Sequence, residues 1–100
     1  MRSAISHRII AVDYDGTLEN DSKMNMALIG RLRAEQRRGS VVILWTCREG
    51  ESLVEAVNCL RACGFRPNLI NENDPDVIKK FGRNPRKVYA DVYIDDKAVR

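Results

Sequence analysis

Two short runs, "IIAV" at Ile9–Val12 and "VVILWT" at Val41–Thr46, constrain this chain more than anything else in it. A strand with one wet face alternates apolar with polar residues, whereas an unbroken β-branched run of this length is buried on both faces. Such strands need helices above and below them, which implies a mostly parallel sheet. The intervening sequence supplies those helices. Met24 to Arg38 carries Met24, Leu28 and Leu32 at four-residue spacing with Ile29 beside them, and Gly39 stands at the stop. Glu51 to Cys63 carries Leu53, Val57 and Leu60, and Gly64 ends it. "PNLIN" reads as a short third strand. "DPDVIKKF" reads as a short helix with Asp74 as N-cap and Pro75 at the first helical position. "VYADVYID", from Val88 to Asp95, reads as the last strand. The expected fold is α/β, a three-layer sandwich of a mostly parallel sheet with helices on both faces. At 100 residues, it is a single domain spanning 1–100.

Composition excludes several classes. With 44% hydrophobic and 31% charged residues, neither disorder nor a membrane protein is expected. No apolar run reaches the ~20 residues of a membrane helix, and "MRSAISHRII" is no signal peptide, so a cytoplasmic location is expected. Three cysteines make no disulfide framework. Cys59 and Cys63 share a helix face but lack the partners of a four-ligand zinc set, so helix packing is their expected role. The lone His7, ahead of the first strand, reads as an exposed bystander. The net charge of +3 admits anionic partners. The basic clusters "RLRAEQRR" and "KKFGRNPRK" read first as solvated surface, with a nucleic-acid partner as the sharper alternative.

A parallel sheet brings the C-terminal ends of its strands to one edge, and ligands of such sheets bind there. The first strand runs into Asp13-Tyr14-Asp15-Gly16-Thr17, the second ends at Thr46, and the last ends at Asp95 and Asp96. Topology therefore gathers carboxylates and a hydroxyl from distant segments. Asp and Gly also favour turns, but "DxDGT" arises by chance in roughly one chain per thousand of this length. Converging acids repel and raise one another's pKa, and a divalent cation relieves that. Carboxylate, carbonyl and water oxygens suit Mg²⁺.

"VDYDGT", "VVILWT" and "YIDDKA" resemble, in order, the first, second and fourth motifs of the haloacid dehalogenase (HAD) superfamily of phosphotransferases. The resemblance spans nearly the whole chain. "LWTCREG" and "ADVYIDDKA" are similar to a small, capless, hydrolase-like group of bacterial and phage type. The resemblance implies a HAD-like, Rossmann-like fold and a Mg²⁺-dependent phosphatase. Asp13 would be the nucleophile, giving an aspartyl-phosphate. Asp15 would act as general acid and then as general base. Thr46 would bind a phosphoryl oxygen, and Gly16 and Thr17 would offer backbone N–H groups to it. Asp13, the carbonyl of Asp15, Asp95 and Asp96 would surround the metal. Arg48 would contact substrate or balance charge.

The resemblance also calls for a phosphate-neutralising lysine. Lys87 matches best locally, although eight residues of unbroken strand would hold it ~26 Å from Asp95. It fits if "VYA" is a loop. Lys80 and Lys79 are the alternatives. Neither connecting segment is long enough for a cap domain. The open site expected suits a substrate that brings its own cover, such as a nucleic-acid end, or a homo-oligomer; sugar phosphates and nucleotides remain in the class. Two other readings compete. A receiver-like signalling module also gathers acids, a Thr and a Lys, but its acidic pair lies at the first strand. A non-catalytic HAD-like binding protein is the third reading.

Overall fold

The computed structural model describes residues 7–84 and 88–96. The chain runs β1 (Ile9–Val12), β2 (Glu19–Asn20), β3 (Lys23–Met24), α1 (Met26–Arg37), β4 (Val41–Leu44), α2 (Gly50–Ala62), β5 (Leu69–Ile70), α3 (Pro75–Phe81) and β6 (Val92–Ile94). Four strands form one parallel sheet in the order β5-β4-β1-β6. All four residues of β1 are buried, as their unbroken apolar run requires. On one face, Ile10, Val12, Val42 and Leu44 pack with Leu28, Ile29 and Leu32 of α1 and Ala56 and Leu60 of α2. On the other, Ile9, Ala11 and Ile43 meet Val77 of α3 together with Val88 and Ala90. Two cores separated by a sheet make the three-layer, Rossmann-like α/β sandwich. Among the described helices none is long and apolar enough to cross a membrane.

The order of strands positions the site. From β1 the chain steps outward through β4 to β5, then returns past them to set β6 on the other side of β1. The direction of winding reverses between β1 and β6, and that crevice is where open α/β sheets take ligands.

Four expectations are corrected. The first helix begins at Met26, not Met24, because the Asn25 side chain accepts the Leu28 N–H at 3.1 Å and caps it. Met24 instead pairs with Glu19 in a two-stranded antiparallel hairpin ahead of the helix. Its turn residues, Asp21 and Ser22, both stand at positive φ, as a tight hairpin turn of the I′ kind requires.

The last strand is three residues, not eight. Over 88–90 side chains take the backbone groups that a ladder would use. Tyr93 Oη donates to the Val88 carbonyl at 2.6 Å and accepts the Ala90 N–H at 3.0 Å, while Tyr89 N–H donates to Asn73 at 2.7 Å. The "VYA" segment is thus not strand; Lys87 itself lies outside the described residues.

The last two corrections concern His7 and the cysteines. His7 is no bystander: its Nε2 lies 2.9 Å from Asp74, the acid that caps α3 by accepting the Asp76 N–H at 2.8 Å. His7, Asp74 and Asp76 form a cluster whose polar atoms lie within 4.8 Å of one another. Of the two helical thiols, Cys63 packs against the core and Cys59 is exposed.

Candidate active site

The strand ends build the site. β1 delivers Asp13, whose N–H donates to Ile94 O at 2.9 Å, so the acid is tied to the end of β6 just before Asp95 and Asp96. β4 ends at Leu44, and the next residue is held by Trp45 N–H donating to Val12 O at 2.9 Å. Thr46 then leaves the ladder and pairs with the Asn71 side-chain amide. Its N–H donates at 2.8 Å, and its carbonyl accepts at 2.9 Å. Asn71 thereby replaces a neighbouring strand and fixes where the Thr46 hydroxyl stands. That hydroxyl oxygen accepts Arg48 N–H at 3.1 Å. Asp13, Trp45, Thr46, Cys47 and Asp95 line one cavity of about 230 Å³.

The four expected carboxylates share one electrostatic site. Burial pushes the Asp13 carboxyl above its usual range, and the charges of Asp15, Asp96 and Asp95 push it further, against a Tyr14 backbone hydrogen bond that lowers it. Asp15 is displaced the other way. The Arg48 guanidinium forks its carboxylate, with contacts of 2.8, 3.1 and 3.2 Å, and holds it below the usual range. Arg48 is placed by three further groups: it lies 4.7 Å over the Tyr14 ring, its Nη1 donates to Ser52 O at 3.1 Å, and its own N–H is on Thr46. Burial pushes the Tyr14 hydroxyl up to about 12, so this ring stays neutral beneath the cation. Replacing Arg48 with Ala should let Asp15 titrate at higher pH than in the native chain. Carboxyl-carbon NMR titration measures it, and an unmoved Asp15 would contradict the fork.

Gly16 turns the chain between the two acids and the hairpin. It sits at φ +81, and a Cβ there would lie 3.3 Å from the Asp96 Cβ. The glycine therefore lets the first loop close on the last strand's acids. Gly16→Ala should cost about 1–2 kcal/mol from the left-handed conformation alone, read as a lower urea midpoint at unchanged slope.

The structure does not bring Gly16 and Thr17 into the Asp13 cavity. Both line a second one of about 410 Å³ between α1 and β6, with Asp95 and Asp96 on its rim. The Thr17 hydroxyl oxygen is buried without a hydrogen-bond partner among the described residues. Lys79 and Lys80 are exposed on the last turn of α3.

The sequence reading missed three contributors: Asn71, which pins Thr46; Tyr14, which seats Arg48; and Trp45, which walls the cavity. Asn71 stands at positive φ just past β5, and its place at the C-terminal end of "PNLIN" is the signal that could have found it. Trp45 was the one aromatic in an aliphatic strand.

No protein-family description matches this chain, and no curated protein matches it. A solved structure does. The conserved protein coded by a locus from Bacteroides thetaiotaomicron is 33% identical, matched over 93% of this chain and 78% of that one, with a TM-score of 0.72. At that identity and coverage, this chain belongs to the same family as the conserved Bacteroides thetaiotaomicron protein.

Proposed function

We propose that the chain is a Mg²⁺-dependent phosphatase of the HAD type, cleaving phosphomonoesters through an aspartyl-phosphate on Asp13. One observation carries the reading. Asp13 stands in an open cavity beside the Thr46 hydroxyl, with three further carboxylates raising its pKa. An all-oxygen donor set in mutual repulsion fits a hard divalent cation. Asp13, the Asp15 carbonyl, Asp95 and Asp96 would hold it. When bound, Mg²⁺ supplies the positive charge that lets an anionic carboxylate meet an anionic phosphate.

The residues divide the chemistry. A carboxylate oxygen of Asp13 bonds to phosphorus as the ester oxygen leaves, and Asp15 gives that oxygen its proton. Water then attacks phosphorus while Asp15, now a carboxylate, takes its proton, and the Asp13–phosphorus bond breaks. The Arg48 fork favours the base form of Asp15. A phosphoryl group in the cavity competes for that guanidinium. Released from it, Asp15 loses the partner that favours its ionised form. Thr46 donates to a phosphoryl oxygen. Lys87 is our candidate for the neutralising cation, with Lys80 and Lys79 next.

Hydrolysis of an aryl phosphate with Mg²⁺ and then with excess chelator tests the reading. Saturable turnover lost on chelation is expected, together with a thermal midpoint raised by Mg²⁺. Absence of both turnover and the thermal shift would contradict it.

A further inference from the structure

We infer that Trp45 is a stacking wall selecting phosphomonoesters whose leaving group carries a planar aromatic ring; the inference rests on the phosphatase reading and names its substrate class. Strand register places the wall. Val12 and Leu44 are partners across β1 and β4, so Asp13 and Trp45 follow on adjacent strands ~5 Å apart and line the same cavity.

Trp45, the residue that follows β4, is 40% exposed, whereas Val42, Ile43 and Leu44 just before it are fully buried. An indole left half in water beside a nucleophile is uncovered surface that a ligand can take. It is also held still. Its ring meets Tyr93 at 6.0 Å and 57°, and Tyr93 is itself fixed by hydrogen bonds through its hydroxyl to Val88 O and Ala90 N. A backed, rigid ring loses little freedom when a second ring stacks on it.

The remaining wall is the Cys47 side chain, exposed at the same mouth. The indole offers a single N–H and the thiol only a weak donor, too few partners to replace the hydrogen bonds that a sugar's hydroxyls give up on leaving water, so a bare sugar phosphate gains little from this side. A nucleobase or a phenyl ring gains a stack. Both sources share that chemistry.

The chain has one tryptophan, so its indole emission reports this wall alone. Asp13→Asn protein in Mg²⁺ buffer is titrated, by emission and by calorimetry, with adenosine 5′-monophosphate, tyrosine phosphate, ribose 5-phosphate and glycerol phosphate. At least one aromatic ligand should quench the emission saturably and bind about tenfold more tightly than ribose 5-phosphate. Which of the two binds more tightly identifies the source. By calorimetry, adding Trp45→Leu should bring the aromatic ligands to the ribose phosphate level, while Trp45→Phe should keep most of the difference. Equal affinities, no saturable aromatic binding, or a preference that survives Trp45→Leu would overturn the inference. The native chain assayed with the same four compounds separates the two readings. Aromatic preference in binding with no phosphate released from any of them sinks the phosphatase reading alone. Phosphate released with equal kcat/KM from aromatic and sugar esters sinks the stacking wall alone.

Discussion

Asp13→Asn should abolish turnover and at the same time stabilise the metal-free fold. The first effect is on the order of 10⁵ in kcat, the scale on which enzymes lose a nucleophile. The second follows from the site's repulsion. Asp13 has its carboxyl raised in the folded chain by burial and by Asp15, Asp96 and Asp95. The folded state therefore holds that proton more tightly than the unfolded state does. No penalty exists below the unfolded value near ~3.9, and it grows to its full size as pH rises past the folded value. At neutral pH the ionised acid destabilises the metal-free protein, and Asn removes both charge and penalty. Each kcal/mol recovered raises the midpoint by about 4–8 °C in a domain of this size. The gain should shrink toward pH 4, where the native acid takes up its proton. Calorimetric melting of both proteins in chelator, at pH 4 and pH 7, measures it. A buried acid with a purely structural role predicts the opposite, a lower midpoint on substitution.

Asp15→Asn should separate the two halves of the reaction. Asn keeps a carbonyl oxygen for the Arg48 fork, so the loop and its cation stay in place. It cannot carry a proton in either direction. With an aryl phosphate whose leaving oxygen needs no acid, Asp13 is still phosphorylated at a useful rate. The water step then lacks its base and slows by roughly 10²–10⁴. Rapid mixing should show a burst of one phenolate per site followed by a near stall. Alkyl phosphates, which need the acid, should show neither burst nor turnover. A steady rate without a burst, merely reduced, would remove Asp15 from the second step.

The two predictions draw on residues that the sequence exposed to different degrees. Asp13, Thr46, Asp95 and Asp96 were legible as candidates because each follows a strand's apolar run, although β4 stops at Leu44 and Thr46 stands two residues beyond it. Asp74 and Pro75 were legible because a cap is local chemistry, and α3 starts at Pro75. The β2–β3 hairpin was not legible. Its turn is Asp21-Ser22, without the glycine that marks positive φ. Nor was the short β6, since the competition between a strand ladder and the Tyr93 hydroxyl is decided by packing. The Arg48–Asp15 fork joins residues 33 apart, and the His7–Asp74 contact joins residues 67 apart. No periodicity encodes such pairs. Charge tuning within the site was hidden for the same reason. Asp13 is raised only once burial and acids from distant segments surround it, and Asp15 is lowered only when Arg48 arrives from another loop.

Arg48 also explains how a solvent-facing Asp15 keeps its place. The side chain of Asp15 is 57% exposed, so the pair contributes little to stability. What the fork fixes is where the carboxylate stands, tied to Arg48, which is itself anchored to Thr46 and Ser52.

The most direct test of the central claim is the mass of the protein itself. Asp15→Asn protein is mixed with Mg²⁺ and an aryl phosphate, quenched in acid during the stall, and digested. The account predicts one added phosphoryl group on the peptide containing Asp13, removed by hydroxylamine as an acyl-phosphate must be, and absent when Mg²⁺ is chelated or Asp13→Asn is also present. Phenolate release in the native chain with no phosphoryl group on Asp13, or with one on another residue, would contradict it.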